Sequence, residues 1–193
     1  MKTRKDYGNK ISSPLKPGSI IIAQPFWSNE IARHAVIYIV DHNDNGTWGI
    51  IINKASNIHV YELMNSTRIK IDKRIYYGGS ESLDIISYLH NIPDIPEADY
   101  LGNGIYYGGN PLSVEELISD GRIDFDKIKF FAGSIEWEYG KLESEIVDNK
   151  WWVSEIYARE LFYSAPENLW TRKLLLNGNM YGMFSEEFDP SLN

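Results

Sequence analysis

The sequence predicts a single domain that combines β-strands with helices, and three observations carry this prediction. The chain has 193 residues, a length at which one compact domain is the default. Two apolar runs, Ala35–Val40 and Gly49–Asn53, flank the segment DHNDNG, whose Asx and Gly residues predict a hairpin turn. Helix start signals at Ser113 and Pro166 follow further strand candidates. No linker is long enough to divide the chain, so the strands and helices are expected to share one core.

The strongest strand prediction is the central hairpin. In the run Ala35–Val40 both alternating sets of residues are apolar, which is typical of a strand covered on both faces. The run Ile50–Ile52 has the same character. The other elements predicted in this half are the strand Ser19–Ala23, a short helical turn capped by Ser28 that runs to Arg33, and the short helix Val60–Asn65.

The second half alternates short strands with helices. A capping box formed by Ser113 and Glu116 predicts a helix that stops at Gly121. A proline-first, glycine-last pattern predicts another helix from Pro166 to about Gly178. The remaining predictions are strands at Ile75–Tyr77, Leu83–Leu89, Ile105–Tyr107 and Lys127–Ala132, a loop at His90–Gly104 and a helix at Lys141–Asn149.

Composition and charge exclude several classes of function. A net charge of −8 disfavours nucleic-acid binding, which rewards clustered Lys and Arg. The absence of cysteine excludes disulfides, thiolate nucleophiles and Cys-ligated zinc, and the cytoplasm is the expected location. No apolar run approaches the ~20 residues of a membrane helix. The N-terminus lacks the hydrophobic stretch of a secretory signal, so no membrane association is expected.

The two ends of the chain differ from the domain between them. Residues 1–17 carry five basic residues against Asp6 alone and predict a flexible basic tail, with contact to phosphate as the alternative. Residues 185–193 predict a frayed acidic end. The domain itself is expected to span residues 18–184.

Four segments carry a resemblance to a known family. They are GSIIIAQP at 18–25, YIVDHNDNGTWGIIINK at 38–54, WEYGKLESEIVDNKW at 137–151 and PENLW at 166–170. Their order and spacing resemble the AlgH/YqgE family, and the long tryptophan-to-tryptophan segment is the most specific of them. The resemblance covers about residues 18 to 178.

The resemblance implies a fold but no established reaction. It implies a single α+β domain built on a strongly bent, mostly antiparallel sheet, close to a pseudo-barrel, with helices packed around it. Members of this bacterial family are often labelled transcriptional regulators. This sequence shows no helix-turn-helix pattern, basic stripe or zinc-finger spacing, so no sequence-specific nucleic-acid binding is expected.

Metal and cofactor sites are not expected. The segment starting at Asp41 resembles a calcium loop, but the bidentate glutamate that such a loop needs would fall at Ile52. The same residues serve a hairpin turn, because Asp and Asn side chains bond to their own backbone. The four histidines are too scattered for a helix-borne metal pair.

The hairpin loop 42–48 is the predicted site. His42, next to Asp41, is a candidate acid–base group, with local bonding to the turn as the alternative. Trp48 stands where the family usually has methionine, which predicts a partly exposed ring at the rim of the hairpin. The full candidate ligand or partner cleft is Arg33, His42, Asn43, Trp48, Asn53 and Glu143.

Two hypotheses for function follow. The first is a non-catalytic module that binds a protein or a small ligand through the cleft by loop 42–48. The second is a small-molecule enzyme that uses Arg33, His42 and Glu143 as its polar groups. Convergence of these three side chains in one pocket would favour the enzyme. A further alternative, glycoside chemistry by the acidic residues at 136–145, is weakened because Glu143 and Glu145 point apart on a helix. One inward-facing glutamate that pairs locally is expected there instead.

Overall fold

The computed structural model describes residues 14–25, 27, 29–63 and 73–176. Within these ranges the chain forms one curled, mostly antiparallel sheet with helices packed against it. The strands are β1 (Ser19–Ala23), β2 (Val36–Asn43), β3 (Gly46–Ile51), β4 (Ala55–His59), β5 (Arg74–Tyr77), β6 (Glu81–His90), β7 (Asp99–Gly102), β8 (Ile105–Tyr107), β9 (Ile128–Trp137) and β10 (Trp151–Glu155). The helices are α1 (Val60–Leu63), α2 (Pro111–Ser119), α3 (Lys141–Val147), α4 (Ala158–Tyr163) and α5 (Leu169–Leu176).

The strand order places β9 at the middle of the sheet. The order is β10-β1-β2-β3-β9-β6-β8-β7, with β5 running parallel to β9 and β4 pairing with β5. The other pairs are antiparallel. The α+β prediction, with its bent and mostly antiparallel sheet, is therefore confirmed.

Both faces of the central strands are buried, as the apolar run Ala35–Val40 predicts. Val36, Tyr38 and Val40 join one core together with residues of α4 and α5. Ile37 and Ile39 join a second core on the opposite face, which α3 covers with Leu142. The predicted hairpin of β2 and β3 is present, with a bulge between Ile39 and Asp41.

Strands β10 and β7, the first and last in this strand order, approach each other at one end. The amide nitrogen of Asn103, just after β7, donates to the carbonyl of Ile156, just after β10, at 3.0 Å. The Ala158 N–H returns a bond to the Asn103 carbonyl at 3.0 Å. Gly18 has a positive φ of +88° and passes so close to Leu101 that a Cβ would collide with its carbonyl. The sheet is thus curled far enough to bring its ends together.

Several predicted elements need correction. The capping box at Ser113 is wrong, because Asn110 caps α2 by accepting from the Ser113 N–H at 3.2 Å and Pro111 occupies the first turn. The predicted loop His90–Gly104 contains strand β7, which pairs with β8. Strands β4 and β10 and helix α4 were not predicted.

Other predictions are met in part. The final helix begins as a 3₁₀ turn at Pro166–Asn168 and continues as α5, and its predicted end at Gly178 lies outside the described residues. The cap at Ser28, the acidic C-terminus and most of the basic tail also lie outside them.

Candidate functional site

The loop between β2 and β3 is built by its own side chains. Asn43 pairs with Gly46 across the hairpin, and its Oδ1 accepts from the Asn45 N–H at 2.7 Å. Asp41 accepts from the His42 N–H at 2.8 Å through one carboxylate oxygen and from the Asn43 amide at 2.7 Å through the other. The calcium-like pattern of this segment is therefore a hydrogen-bonded turn. No group of three or more metal-binding side chains occurs among the described residues.

The hairpin divides the predicted site between two faces of the sheet. Asp41 lies opposite Trp48, and His42 lies opposite Thr47. Because successive side chains of a strand point to opposite faces, the Asp41 and Trp48 pair faces one side and the His42 and Thr47 pair faces the other. The residues predicted as one cleft therefore belong to two different environments.

On the first face lies a cavity of about 490 Å³, which we call the hairpin cleft. Its volume falls in the range of roughly 300–1,000 Å³ that is usual for small-ligand sites. The residues that matter most for its chemistry are Asp41, Trp48, Ser87, Tyr107, Ser134 and Glu136.

Aromatic rings form one wall of the hairpin cleft. Trp48 is partly buried against the core of α4 and α5, and it meets Tyr107 edge to face with ring centroids 5.4 Å apart. Burial raises the pKa of the Tyr107 phenol, and the nearby Asp99 carboxylate raises it further. Tyr107 therefore keeps its proton at neutral pH and presents a neutral hydroxyl.

The polar groups of the hairpin cleft are acidic or neutral. Glu136 lies opposite Trp48 in the pairing of β3 with β9, and its Oε1 accepts from the Ser134 hydroxyl at 3.4 Å. Asp41 and Glu136 are both carboxylates, and among the described residues no Lys, Arg or His lines this cavity. The cleft therefore favours a cationic or neutral ligand over an anionic one.

On the second face, His42 contacts Glu143 of α3. The Nε2 of His42 lies 3.7 Å from the Oε1 of Glu143, and its Nδ1 lies 2.7 Å from the Thr47 hydroxyl. Thr47 itself is only 6% exposed, which leaves little room for a substrate to reach its oxygen. His42 is thus hydrogen-bonded within the hairpin through Thr47 and only contacts the first turn of α3.

Arg33 does not join His42 and Glu143. It is exposed in the turn that precedes β2, where its N–H donates to the Asn29 carbonyl at 2.8 Å. His42 lies near the other end of β2, and six residues of strand separate Val36 from His42 by roughly 20 Å. The three polar groups of the enzyme hypothesis therefore do not converge.

Asn53 serves the fold at the far end of the hairpin. Its Oδ1 accepts from the buried Val36 N–H at 2.8 Å, and its Nδ2 donates to the His34 carbonyl at 2.8 Å. Both ends of the amide are thus used to join the start of β2 to the end of β3.

Sequence reasoning found only one wall of the hairpin cleft. Ser87, Tyr107 and Glu136 come from β6, β8 and β9. The sequence drew attention to Glu136 only as one of the acidic residues at 136–145, and no local pattern distinguishes Ser87 and Tyr107 from ordinary strand residues. Only the pairing of β9 with β3 and β6 brings them to the hairpin.

Comparison with known proteins places the chain in a family. A family model described as AlgH-like matches residues 20–182. The UPF0301 protein of Bacteroides thetaiotaomicron is 30% identical over 168 residues, which are 87% of this chain and 86% of that protein. The UPF0301 protein of Parabacteroides distasonis is 30% identical over 179 residues, 91% of this chain and 90% of that protein.

Two solved structures share the fold. The solution structure of the AlgH protein from Pseudomonas aeruginosa has a TM-score of 0.70 and 24% identity, covering 96% of this chain and 97% of that one. A crystal structure of a protein from Corynebacterium diphtheriae has a TM-score of 0.75 and 18% identity, covering 90% and 93%. The resemblance drawn from the four sequence segments is confirmed, and the chain belongs to the AlgH-like family.

Proposed function

We propose that this protein is a non-catalytic binding module that takes a small cationic ligand into the hairpin cleft. The observation that carries the proposal is the lining of the cleft, where two carboxylates stand beside an aromatic wall without a cation among the described residues. The carboxylates and the aromatic rings come from four separate strands, β2, β3, β8 and β9, and line one cavity.

The cleft offers a cation two kinds of stabilisation. A carboxylate attracts it by charge, and the face of a tryptophan ring attracts it through the ring quadrupole, an effect of about 0.5–2 kcal/mol. Glu136 and Trp48 lie opposite each other on paired strands, so one ligand can contact both. The Tyr107 and Ser87 hydroxyls supply neutral hydrogen-bonding groups around them.

The arrangement of the polar groups supports binding rather than catalysis. Both oxygens of Asp41 already accept bonds from the loop, so this carboxylate is committed to the turn. The imidazole of His42 faces the other side of the sheet and contacts Glu143. Arg33, the third member of the enzyme hypothesis, is separated from both by the length of β2.

Amide resonances of the ¹⁵N-labelled protein, followed during titration with three probes of similar shape, test the proposal. Benzylamine is cationic, benzyl alcohol is neutral and benzoate is anionic. We expect saturable shifts around Trp48 with benzylamine and weaker or no shifts there with the other two. Equal shifts with benzyl alcohol, or no saturable shift with benzylamine, would contradict the proposal.

Matched variants locate the binding. Glu136→Gln removes a charge from the cleft, whereas Glu138→Gln removes the same charge from an exposed residue outside it. We expect benzylamine to bind several-fold more weakly to the first variant and unchanged to the second, because the attraction requires a carboxylate close to the ligand. Equal weakening in both would show only a general effect of net charge.

The location of the protein is a proposal, and the regulatory label of the family is not part of it. We propose a cytoplasmic location, supported by a sequence without cysteine. No helix within the described residues has the length and apolar character needed to span a membrane. We do not extend the label of transcriptional regulator to this chain, since its net charge of −8 opposes direct contact with DNA.

A further inference from the structure

A second cavity lies away from the hairpin cleft, beside the first residues of β9. It has a volume of about 410 Å³, and we call it the Lys129 cavity. Lys73, Arg74 of β5 and Lys129 of β9 give its wall three cations, and His59 at the end of β4 adds an imidazole. Aromatic rings of β5, β9 and α4 line it too: Tyr76, Phe130 and Phe162.

Lys129 is largely buried at this cavity, and no described residue forms an ion pair with it. Its ammonium group donates to the Tyr76 hydroxyl oxygen at 3.2 Å and lies 4.7 Å from the centre of the Tyr76 ring. No carboxylate oxygen of the described residues lies within 4.0 Å of its Nζ. A neutral phenol and a ring face are weak substitutes for a counter-ion, because burying a charge is costly unless it is paired.

The surroundings compensate this charge poorly. Burial is the largest cause that lowers the pKa of Lys129; Glu167 opposes it, Lys73 adds to it, and together they bring the pKa to about 8. Lys73 is itself paired with Asp126 at 2.8 Å, so the carboxylate that lines the cavity among the described residues is already in use. Burial also raises the pKa of Tyr76, with Glu167 adding to the effect and Arg74 opposing it, so the phenol stays neutral.

The cavity therefore presents a cation at one side and an apolar wall at the other. Arg74 is exposed next to Tyr76, and no ion pair joins it to a described residue. Phe130 and Phe162 are buried aromatic residues with less than a tenth of their surface exposed. The positive charge at this cavity is a local feature, since the chain as a whole carries a net charge of −8.

We propose that the Lys129 cavity binds a small amphiphilic carboxylic acid, with its carboxylate against Lys129 and Arg74 and its apolar body against Phe130 and Phe162. The bound carboxylate supplies a counter-ion that the described residues do not give Lys129. The site is separate from the hairpin cleft and shares no lining residue with it, so it does not depend on the function proposed there.

Linkage gives this site a signature that ordinary weak binding lacks. A carboxylate that binds the charged form of Lys129 must raise the pKa of that lysine, and protonation must in turn strengthen binding by the same factor. Affinity is therefore expected to be highest below about pH 8 and to fall as the pH rises through the pKa of Lys129. A tenfold preference for the charged lysine corresponds to a rise of about one pKa unit.

The experiment follows the ¹³C resonances of reductively methylated lysines through a pH titration, with and without benzoate. The Lys129 resonance is assigned by its loss in Lys129→Arg. We expect benzoate to raise the pKa of Lys129 by about one unit and to leave the resonance of Lys127 unchanged. Benzamide, which has the same shape without the charge, is expected to have no effect.

Two substitutions at the cavity and one control outside it keep the proposal falsifiable. Lys129→Met is expected to abolish saturable benzoate binding at this cavity, as followed by amide resonances, whereas Lys127→Met removes a neighbouring charge outside the cavity and is expected to keep it. Because Arg74 is exposed, Arg74→Gln is expected to fold normally and to weaken binding several-fold. Benzoate binding that persists in Lys129→Met, a pKa that benzoate does not move, or equal binding of benzamide would overturn the proposal.

Discussion

Trp137 and Trp151 meet edge to face with ring centroids 6.1 Å apart, although β9 and β10 do not pair. Three strands lie between β9 and β10, and at ~4.8 Å per spacing a flat sheet would separate them by roughly 19 Å. Only a strongly curled sheet allows this contact. The Oε2 of Glu145 secures it by accepting from both indole N–H groups, at 3.1 Å from Trp137 and 2.9 Å from Trp151.

Glu145→Ala is therefore expected to destabilise the protein strongly. Two largely buried indole N–H groups would lose their acceptor, and each such loss costs about 1–3 kcal/mol. Glu145→Gln keeps a carbonyl oxygen and should cost less. The measurement is urea unfolding, with Glu143→Ala as the control two residues away, since its partly exposed pair with His42 should contribute less than about 1 kcal/mol. Equal losses of unfolding free energy in Glu143→Ala and Glu145→Ala would contradict the role of Glu145 as the shared acceptor of the two indoles.

Trp48→Ala should reduce stability less than Trp151→Ala. Trp151 is 2% exposed, and truncation of a buried tryptophan typically costs about 3–5 kcal/mol. Trp48 is only partly buried at the rim of the hairpin cleft, so its loss should fall below that range. Chemical unfolding of both variants tests the difference, and a loss in Trp48→Ala as large as that in Trp151→Ala would mean that Trp48 is a core residue.

Asn53→Ala is expected to lower the free energy of unfolding by about 1–3 kcal/mol. The change removes the acceptor of the buried Val36 N–H and the donor to the His34 carbonyl. Asn57→Ala, at an exposed position of β4, is the matched control and should have little effect. Thermal unfolding of the two variants side by side provides the measurement. Equal thermal unfolding midpoints for the two variants would show that the hydrogen bonds of Asn53 make no net contribution to stability.

His90 should make the protein sensitive to acid. Its ring is fully buried, and burial lowers its pKa despite opposing bonds with the Gly108 carbonyl and the Ile92 N–H. The unfolded chain therefore takes up a proton at a higher pH than the folded one, and stability is lost as the pH falls below about 6.5. The decrease in the free energy of unfolding caused by His90→Gln should therefore be smaller at pH 5 than at pH 7.5. A cost independent of pH would show that His90 does not titrate in this way.

The isolated protein is not expected to bind DNA with sequence specificity. Its net charge of −8 repels the phosphate backbone. Gel-shift assays with a randomised duplex library at ~150 mM salt should detect no enrichment. Selection of a motif with nanomolar affinity, the range typical of specific recognition, would refute this prediction.

The parts of the fold that depend on residues adjacent in the sequence were predictable from it. The two-sided apolar pattern of β2 and the Asx and Gly turn after it specify the hairpin, because both signals lie within one short segment. The cap of α2 was predictable too, since Asn110 directly precedes Pro111. The capping-box pattern of Ser113 and Glu116 was preferred instead, which placed the start of the helix too late. Strand β10 was missed because its place in the sheet depends on long-range pairing with β1, such as Ile21 with Val153, which no local signal reveals.

The candidate site was predictable only in part, because it depends on long-range pairing. The hairpin indicated Asp41, Asn43 and Trp48, but the opposite wall comes from strands about 40–90 residues further along the chain. The expectation of one inward glutamate in the segment 136–145 proved right, and the structure identifies it as Glu145. Which carboxylate faces inward depends on where the two tryptophans meet, and that depends on the curl of the whole sheet.

The central position of β9 also has a consequence for synthesis of the chain on the ribosome. Thr47 of β3 pairs with Trp137 across 90 residues, and β6 likewise waits for β9. At translation rates of about 5–20 residues per second, the apolar edge of β3 remains unpaired for roughly 5–20 s. Open edges of this kind attract other strands. A nascent chain stalled before Ile128 should therefore engage chaperones or aggregate, whereas one released beyond Leu176 should not.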